Sequence, residues 1–238
     1  MTSERMIGMQ LLEQLDPLWS VAIVLHYAVL LTASIYGICR FFVHKSPLYF
    51  RLLTLATVCY TMVEYFRLFY YMCYGSDFEG LGITFFGYFG CFLFFLTANY
   101  GQYDSLIDDG TVKFRKYRLL ALAAPVVLTV SAFCYTAGNV EQVGTVSNII
   151  TFVGFVLVIF ASYFNLKHLI IPDQGFGFIR WVRLINLCVL VIEVLDAVRL
   201  YLFAGGGDEA GFLAQLLISF AFMLMLIFAR KGQKSWLV

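Results

Sequence analysis

Residues 48–74 read LYFRLLTLATVCYTMVEYFRLFYYMCY, an apolar run of membrane-crossing length that nevertheless contains Glu64 and Arg67. Within it Arg51-Leu52, Leu55, Glu64 and Arg67-Leu68 form a pattern. The pattern returns at identical spacing as Arg183-Leu184, Leu187, Asp196 and Arg199-Leu200. An acid and an arginine three residues apart, deep in an apolar helix, are costly in lipid and face the interior of a bundle. Their recurrence predicts an internal duplication and two helices that meet at one polar site.

The rest of the chain extends the same reading. It is 61% hydrophobic and only 13% charged, with a mean hydropathy of +0.84. So few charges cannot cover the surface of a soluble domain of this length. The sequence contains no basic tract that would bind nucleic acid. Its six cysteines, at 39, 59, 73, 91, 134 and 188, have no metal or redox spacing. Cys73 and Cys134 both fall near the outer ends of predicted helices, which leaves a bridge between them open. The first residues carry Glu4, Glu13 and Asp16 beside Arg5. That charge is wrong for a signal peptide, so insertion is expected to start from the first span.

Apolar segments appear at about 18–42, 48–74, 80–100, 117–138, 145–169, 178–203 and 210–230. Turn residues separate them: Ser46-Pro47, Gly75-Ser76-Asp77, Gly138-Asn139, Pro172-Asp173-Gln174-Gly175 and Gly205-Gly206-Gly207. A backbone in hydrocarbon must satisfy its own hydrogen bonds, and continuous runs of this kind do so as helices. The expected fold is therefore an all-α membrane protein with seven transmembrane helices forming a single domain over residues 1–238. Alternate connections hold Arg40, Lys45, Arg51, Lys113, Arg115, Lys116, Arg118, Lys167, Arg180, Arg183, Arg230, Lys231 and Lys234, which is thirteen of the 16 Lys and Arg. The opposite connections carry Asp77, Glu79, Glu141, Asp208 and Glu209. By the positive-inside rule the N-terminus is outside and the C-terminus cytoplasmic, in the cell (inner) membrane. The duplication then becomes two parallel three-helix repeats, about 18–100 and 145–230, joined by a linker helix at 117–138. Small facilitators and several seven-helix receptors share that plan. The longest connection, about 101–116, reads as a solvated cytoplasmic loop.

On the second span Tyr60, Glu64, Arg67 and Tyr71 follow steps of four, three and four, which places them on one face. On the sixth, Asn186, Glu193, Asp196 and Arg199 form a comparable stripe. Facing each other, the two stripes would line a polar cavity open to the outside. Arg67 and Arg199 offer planar forks for a carboxylate or phosphate, and Glu64, Glu193 and Asp196 would take an ammonium or a proton. The simpler alternative is that Glu64–Arg67 and Asp196–Arg199 are intrahelical pairs locking helices together, with Glu193 left as an extra acid. Gln215 and Ser219 share a face of the last span, where they line the same cavity or bond to a neighbouring helix. His26 reads as a hydrogen-bonded packing residue and His44 and His168 as interfacial. Arg51 and Arg183 read as inner-boundary anchors, and Thr97, Asn99 and Tyr100 as a polar cap on the third span. The Phe and Tyr runs read as packing. The three histidines give no zinc or haem set, so neither a metal nor another cofactor is expected. The chain has no phosphate loop, nucleophile elbow or metalloprotease motif. The last span, 210–230, has no lysine for a retinal Schiff base. An enzyme is not expected.

Met62-Val63-Glu64, the third span from Tyr88-Phe89-Gly90 to Ala98-Asn99-Tyr100-Gly101, and Leu200-Tyr201-Leu202-Phe203 resemble the N-terminal seven-helix sensory region of some bacterial histidine kinases. The likeness covers almost the whole chain, without the kinase output. It implies a protein that senses a ligand from outside and signals through a separate partner. Three functions follow as expectations: a receptor-like bundle binding a small polar or amphiphilic ligand, a facilitative or proton-coupled carrier, and a non-catalytic subunit of a membrane complex. The expected partners are membrane lipid, an unidentified small molecule, and a cytoplasmic or membrane protein.

Overall fold

The computed structural model describes residues 17–42, 46–74, 83–100, 102–138, 145–172, 179–204 and 208–236. Helix forms in each of the seven apolar segments: α1 (Pro17–Phe41), α2 (Leu48–Tyr74), α3 (Ile83–Asn99), then a short α4 (Gln102–Ile107), α5 (Arg115–Ala121), α6 (Ala123–Gly138), α7 (Thr145–Ile170), α8 (Ile179–Ala204) and α9 (Asp208–Trp236). Among the described residues no strand is present. Four helical stretches among the described residues are long and apolar enough to cross a membrane: Ser20–Phe41, Leu48–Tyr74, Val112–Cys134 and Glu209–Gly232. Ile83–Asn99 and Phe155–Ile170 are shorter apolar helices.

Local chemistry explains several boundaries. Proline opens α1, where a missing N–H costs nothing. Pro47 precedes α2, and its carbonyl accepts the Arg51 N–H at 3.2 Å to close the first turn. The helix predicted over 117–138 divides at Leu122. Pro125 lacks an N–H for the Ala121 carbonyl, and its ring clashes with it. The Leu122 N–H turns back to Leu119 at 3.2 Å instead.

Six helices close into a ring: α1 packs on α2, α2 on α3, α3 on α7, α7 on α8, α8 on α9, and α9 back on α1. Helix α6 lies outside this ring against α7 and α8. The ring is filled by Leu30, Leu53, Tyr60, Phe95, Ile192 and Phe222, all buried. Phe222 joins Tyr60 and Phe95 at ring-centroid distances of 4.8 and 5.9 Å. Two close approaches require glycine. A Cβ on Gly87 of α3 would lie 2.0 Å from the Val63 Cγ2 of α2, and one on Gly37 of α1 would lie 2.8 Å from the Thr54 Cγ2. The outer faces are apolar and exposed, including Val24, Phe86, Val126, Val130 and Phe133. With polar groups inside and apolar groups outside, the surface suits a hydrocarbon surrounding.

The 101–116 connection is folded around two buried anchors, while Ser105, Asp109, Gly110, Thr111, Val112, Lys113, Arg115 and Lys116 are exposed as a solvated loop requires. Ile107 and Phe114 are buried with Ile171 and Val182 in a small second core that Tyr117 flanks. Gly110 turns the chain with φ +77°, a conformation that favours glycine. The Asp108 carboxylate accepts the Gly110 N–H at 3.1 Å, and Asp109 accepts the Thr111 N–H at 3.0 Å. Cys73 and Cys134 are both free thiols. The acidic residues Glu4, Glu13, Asp16, Asp77, Glu79 and Glu141, the glycines 205–207, the turn residues 173–175, and His44 and Lys45 lie outside the described residues.

Candidate functional site

The face expected on α2 delivers Tyr60, Glu64 and Arg67 to the middle of the ring. Helix α8 brings Asp196 and Arg199 from the opposite wall. Arg199 organises the meeting. Its Nη1 donates to Glu64 Oε1 at 2.7 Å, and its Nη2 reaches the Asp196 Oδ1 at 3.1 Å. Nη2 also donates to the Tyr88 hydroxyl at 2.9 Å, and the guanidinium stands 5.6 Å from the centroid of that ring. The Tyr88 hydroxyl in turn donates to Glu64 Oε1 at 2.5 Å. Tyr60 donates to Asp196 at 3.1 Å.

Glu64 thus serves two helices besides its own. Its other oxygen, Oε2, faces the His26 Nε2 of α1 at 3.8 Å. The His26 Nδ1 lies 2.8 Å from the Gln215 carbonyl of α9. A carbonyl only accepts, so Nδ1 carries the proton and Nε2 is left directed at the carboxylate. Five of the ring helices, α1, α2, α3, α8 and α9, therefore converge on one cluster. Two carboxylates and two guanidiniums balance its formal charge, the condition under which such groups tolerate removal from water.

The intrahelical pairs expected from the sequence are present but unequal. Asp196–Arg199 closes at 3.1 Å, whereas Glu64–Arg67 is 3.9 Å long. Arg67 keeps 23% of its side chain exposed while Glu64 keeps 1%. Arg67 also donates to the Tyr88 hydroxyl at 3.3 Å. The strongest contact of the cluster thus runs between the two halves of the chain rather than within either helix. The charges are sealed among themselves instead of lining an open space. A groove of about 340 Å³ does open elsewhere, between α6 and the face of α8 that carries Val194 and Ala197, and its lining is almost wholly apolar.

Three predicted residues are placed differently. Tyr71 is half-buried one turn beyond Arg67 and takes no part in these contacts. Gln215 contributes its backbone carbonyl to His26. Glu193 joins a separate polar group: the Asn165 amide of α7 donates to Glu193 Oε1 at 2.8 Å, and the Asn99 amide of α3 donates to Asn165 Oδ1 at 2.5 Å. Asn99 is fully buried. His168 is fully buried as well. Its Nε2 donates to Asp104 at 3.0 Å, in a cluster where Lys167 also pairs with Asp104 and Arg118 bonds Asp108 at 2.8 Å. Burial opposes the Asp104 charge, but the hydrogen bonds from His168 and Lys167 outweigh it and hold the carboxyl below its ordinary range.

Neither Tyr88 nor Asn165 is among the site residues expected from the sequence. Tyr88 stood in an aromatic run whose hydroxyl is informative only once α2 and α3 are docked. Asn165 was a stronger signal: an amide inside an apolar span seeks a partner. No protein-family model matches this chain, and neither a curated protein nor a solved structure does.

Proposed function

We propose that the protein is a receptor-like seven-helix membrane protein that binds a small polar or amphiphilic ligand, entering from outside, at the Glu64–Arg199 cluster. All seven apolar segments cross the bilayer in this reading, with the N-terminus outside, the C-terminus cytoplasmic and α5–α6 linking two parallel repeats. The observation that carries it is the cross-half contact of Arg199 with Glu64, 2.7 Å long and buried. An anionic ligand group that drew Arg199 or Arg67 would compete with that contact directly. Arg67 is the cluster's most exposed charge and would meet the ligand first. Because five helices share the cluster, exchanging one partner moves several of them, which is the bistable element a receptor needs.

A carrier is the second reading, and the packing order favours it. Under a duplication that equates α1 with α7, α2 with α8 and α3 with α9, each ring contact has a counterpart. The α1–α2, α2–α3 and α3–α7 contacts match α7–α8, α8–α9 and α9–α1. Such an arrangement allows one half to rock against the other, with Glu64–Arg199 as a gate.

Native mass spectrometry of protein taken from its own membrane in mild detergent tests both. A retained small molecule that is lost in Arg67→Gln supports a ligand site. Flux in liposomes, abolished by the same substitution, then selects the carrier over the receptor. A stoichiometric protein partner with no small molecule would turn the charges into assembly contacts and end both readings.

A further inference from the structure

The group around Glu193 differs from the Glu64 cluster in having no cation. Glu193 is fully buried, as are Asn99, Asn165 and Asn186. Its Oε1 accepts one neutral bond from Asn165, and its Oε2 has no hydrogen-bond partner. An ionised carboxylate in this setting would be stripped of water with a single amide in return, which disfavours the charged form. Glu64, a few turns away in the same ring, shows what an ionised acid receives here: an arginine, a tyrosine hydroxyl and a second arginine.

We infer that Glu193 is a proton-binding site, held in the bundle as the neutral carboxylic acid beside the Asn165–Asn99 clasp. The geometry favours a proton over a metal ion. A proton needs no room, whereas a cation of the sodium class needs several converging oxygens and space for itself. The apolar groove on the α6-facing side of α8 is not lined by Glu193, Asn165 or Asn99. The neighbouring elements offer no countercharge at this level. Helix α3 brings Asn99, with Tyr88 and Cys91 further along. Helix α7 brings Asn165, and beyond it Lys167 and His168 are occupied by Asp104 and Asp108. Helix α9 has no ionisable side chain between Glu209 and Arg230, and α6 carries only a cysteine and a tyrosine. On α8 itself Asp196 is a further acid, and Arg199 is engaged with Asp196 and Glu64. Tyr60 and Glu64 of α2 belong to that same engagement. The site is distinct from the Glu64–Arg199 cluster and holds for a receptor or a carrier alike.

Infrared spectroscopy of the full chain in lipid nanodiscs tests it. At neutral pH the wild type should show the C=O stretch of an un-ionised carboxylic acid. The band should shift when the protein is made with 13C-carboxyl glutamate and vanish in Glu193→Gln. The glutamine variant should also unfold within a few degrees of wild type, because a neutral isostere replaces a neutral acid. Absence of a labelled carboxylic acid band in the wild type would overturn the proposal without recourse to any variant. So would a Glu193→Gln protein that fails to fold, since the site would then require the charge. Stabilisation of the wild type by sodium over choline, with the labelled group seen only as carboxylate, would replace the proton by a metal ion.

Discussion

Removing Arg199 should be far more damaging than removing Glu64, and the two losses should not add. Arg199→Gln leaves Asp196 without its cation and Glu64 with only the 3.9 Å contact to Arg67, both acids at most 9% exposed. Breaking a buried pair from one side costs about 3–5 kcal/mol. For a chain of this length that corresponds to a midpoint lowered by roughly 10 °C. Glu64→Gln is milder, because Arg199 keeps Asp196 at 3.1 Å and the glutamine oxygen still accepts from Tyr88 and Arg199. In the double variant no acid at position 64 awaits the missing arginine, so its cost should fall short of the sum by about 1–3 kcal/mol. Thermal unfolding in a single detergent, followed by exposure of buried Cys91 and Cys188 to a thiol-reactive dye, gives the four midpoints of the cycle. If the single losses added within about 0.5 kcal/mol, the contact across the two halves would carry no coupling, and the central role given to it would be wrong.

Gly87→Ala should destabilise by about 1–3 kcal/mol, because the new methyl would stand 2.0 Å from Val63 Cγ2; adding Val63→Ala should restore most of the loss in the same melt. Asp104, whose carboxyl is held low, contributes stability that is complete above the ordinary aspartate value of about 4 and is lost as pH falls through its folded-state value. Wild type should therefore lose midpoint more steeply than Asp104→Asn on acidification, and parallel curves would refute the His168–Lys167 clasp. A membrane-impermeant maleimide applied to intact cells should label Cys73 and Cys134, which are exposed thiols at one end of the bundle, and spare Cys39. The opposite pattern would reverse the proposed orientation.

The helices were legible because apolar length is a local property, and each of the seven segments forms helix where the composition placed it. The α2 face was legible for the same reason: steps of four and three fix which side chains share a direction. What the sequence withheld was partner choice. Arg199 prefers Glu64 of α2 at 2.7 Å, closer than Asp196 on its own helix. That preference arises from how α2 and α8 sit across the ring, which no spacing encodes. Glu193 shows the same limit. It shares a stripe with Asp196, yet it lies against α7 and bonds Asn165. In the 101–116 connection most described residues are exposed, as its charges imply, but Ile107 and Phe114 are buried, two anchors that a composition average conceals.

Charge explains why α8 falls outside the four stretches that length and composition mark as membrane-crossing. The helix is 26 residues long, but Arg183, Glu193, Asp196 and Arg199 place more than two charges in every membrane-length stretch of it. The residues that would meet lipid are a separate set. Leu187 and Val191, a step of four apart, are about 40% exposed and lie outside the groove that Val194 and Val198 line with α6. Asn186, Glu193, Asp196 and Arg199 are all buried. A bilayer is sensitive to the outer stripe and not to the number of charges, since charges that face a bundle and pair there are withdrawn from hydrocarbon. A crossing α8, as the proposed seven-span reading requires, is therefore compatible with its charges. The discriminating substitution is on the apolar side. Val191→Lys should prevent insertion or expel the helix, at about 2.5–3.5 kcal/mol for a charge at mid-bilayer. A protease-protected, normally folded variant would show instead that α8 lies outside the membrane.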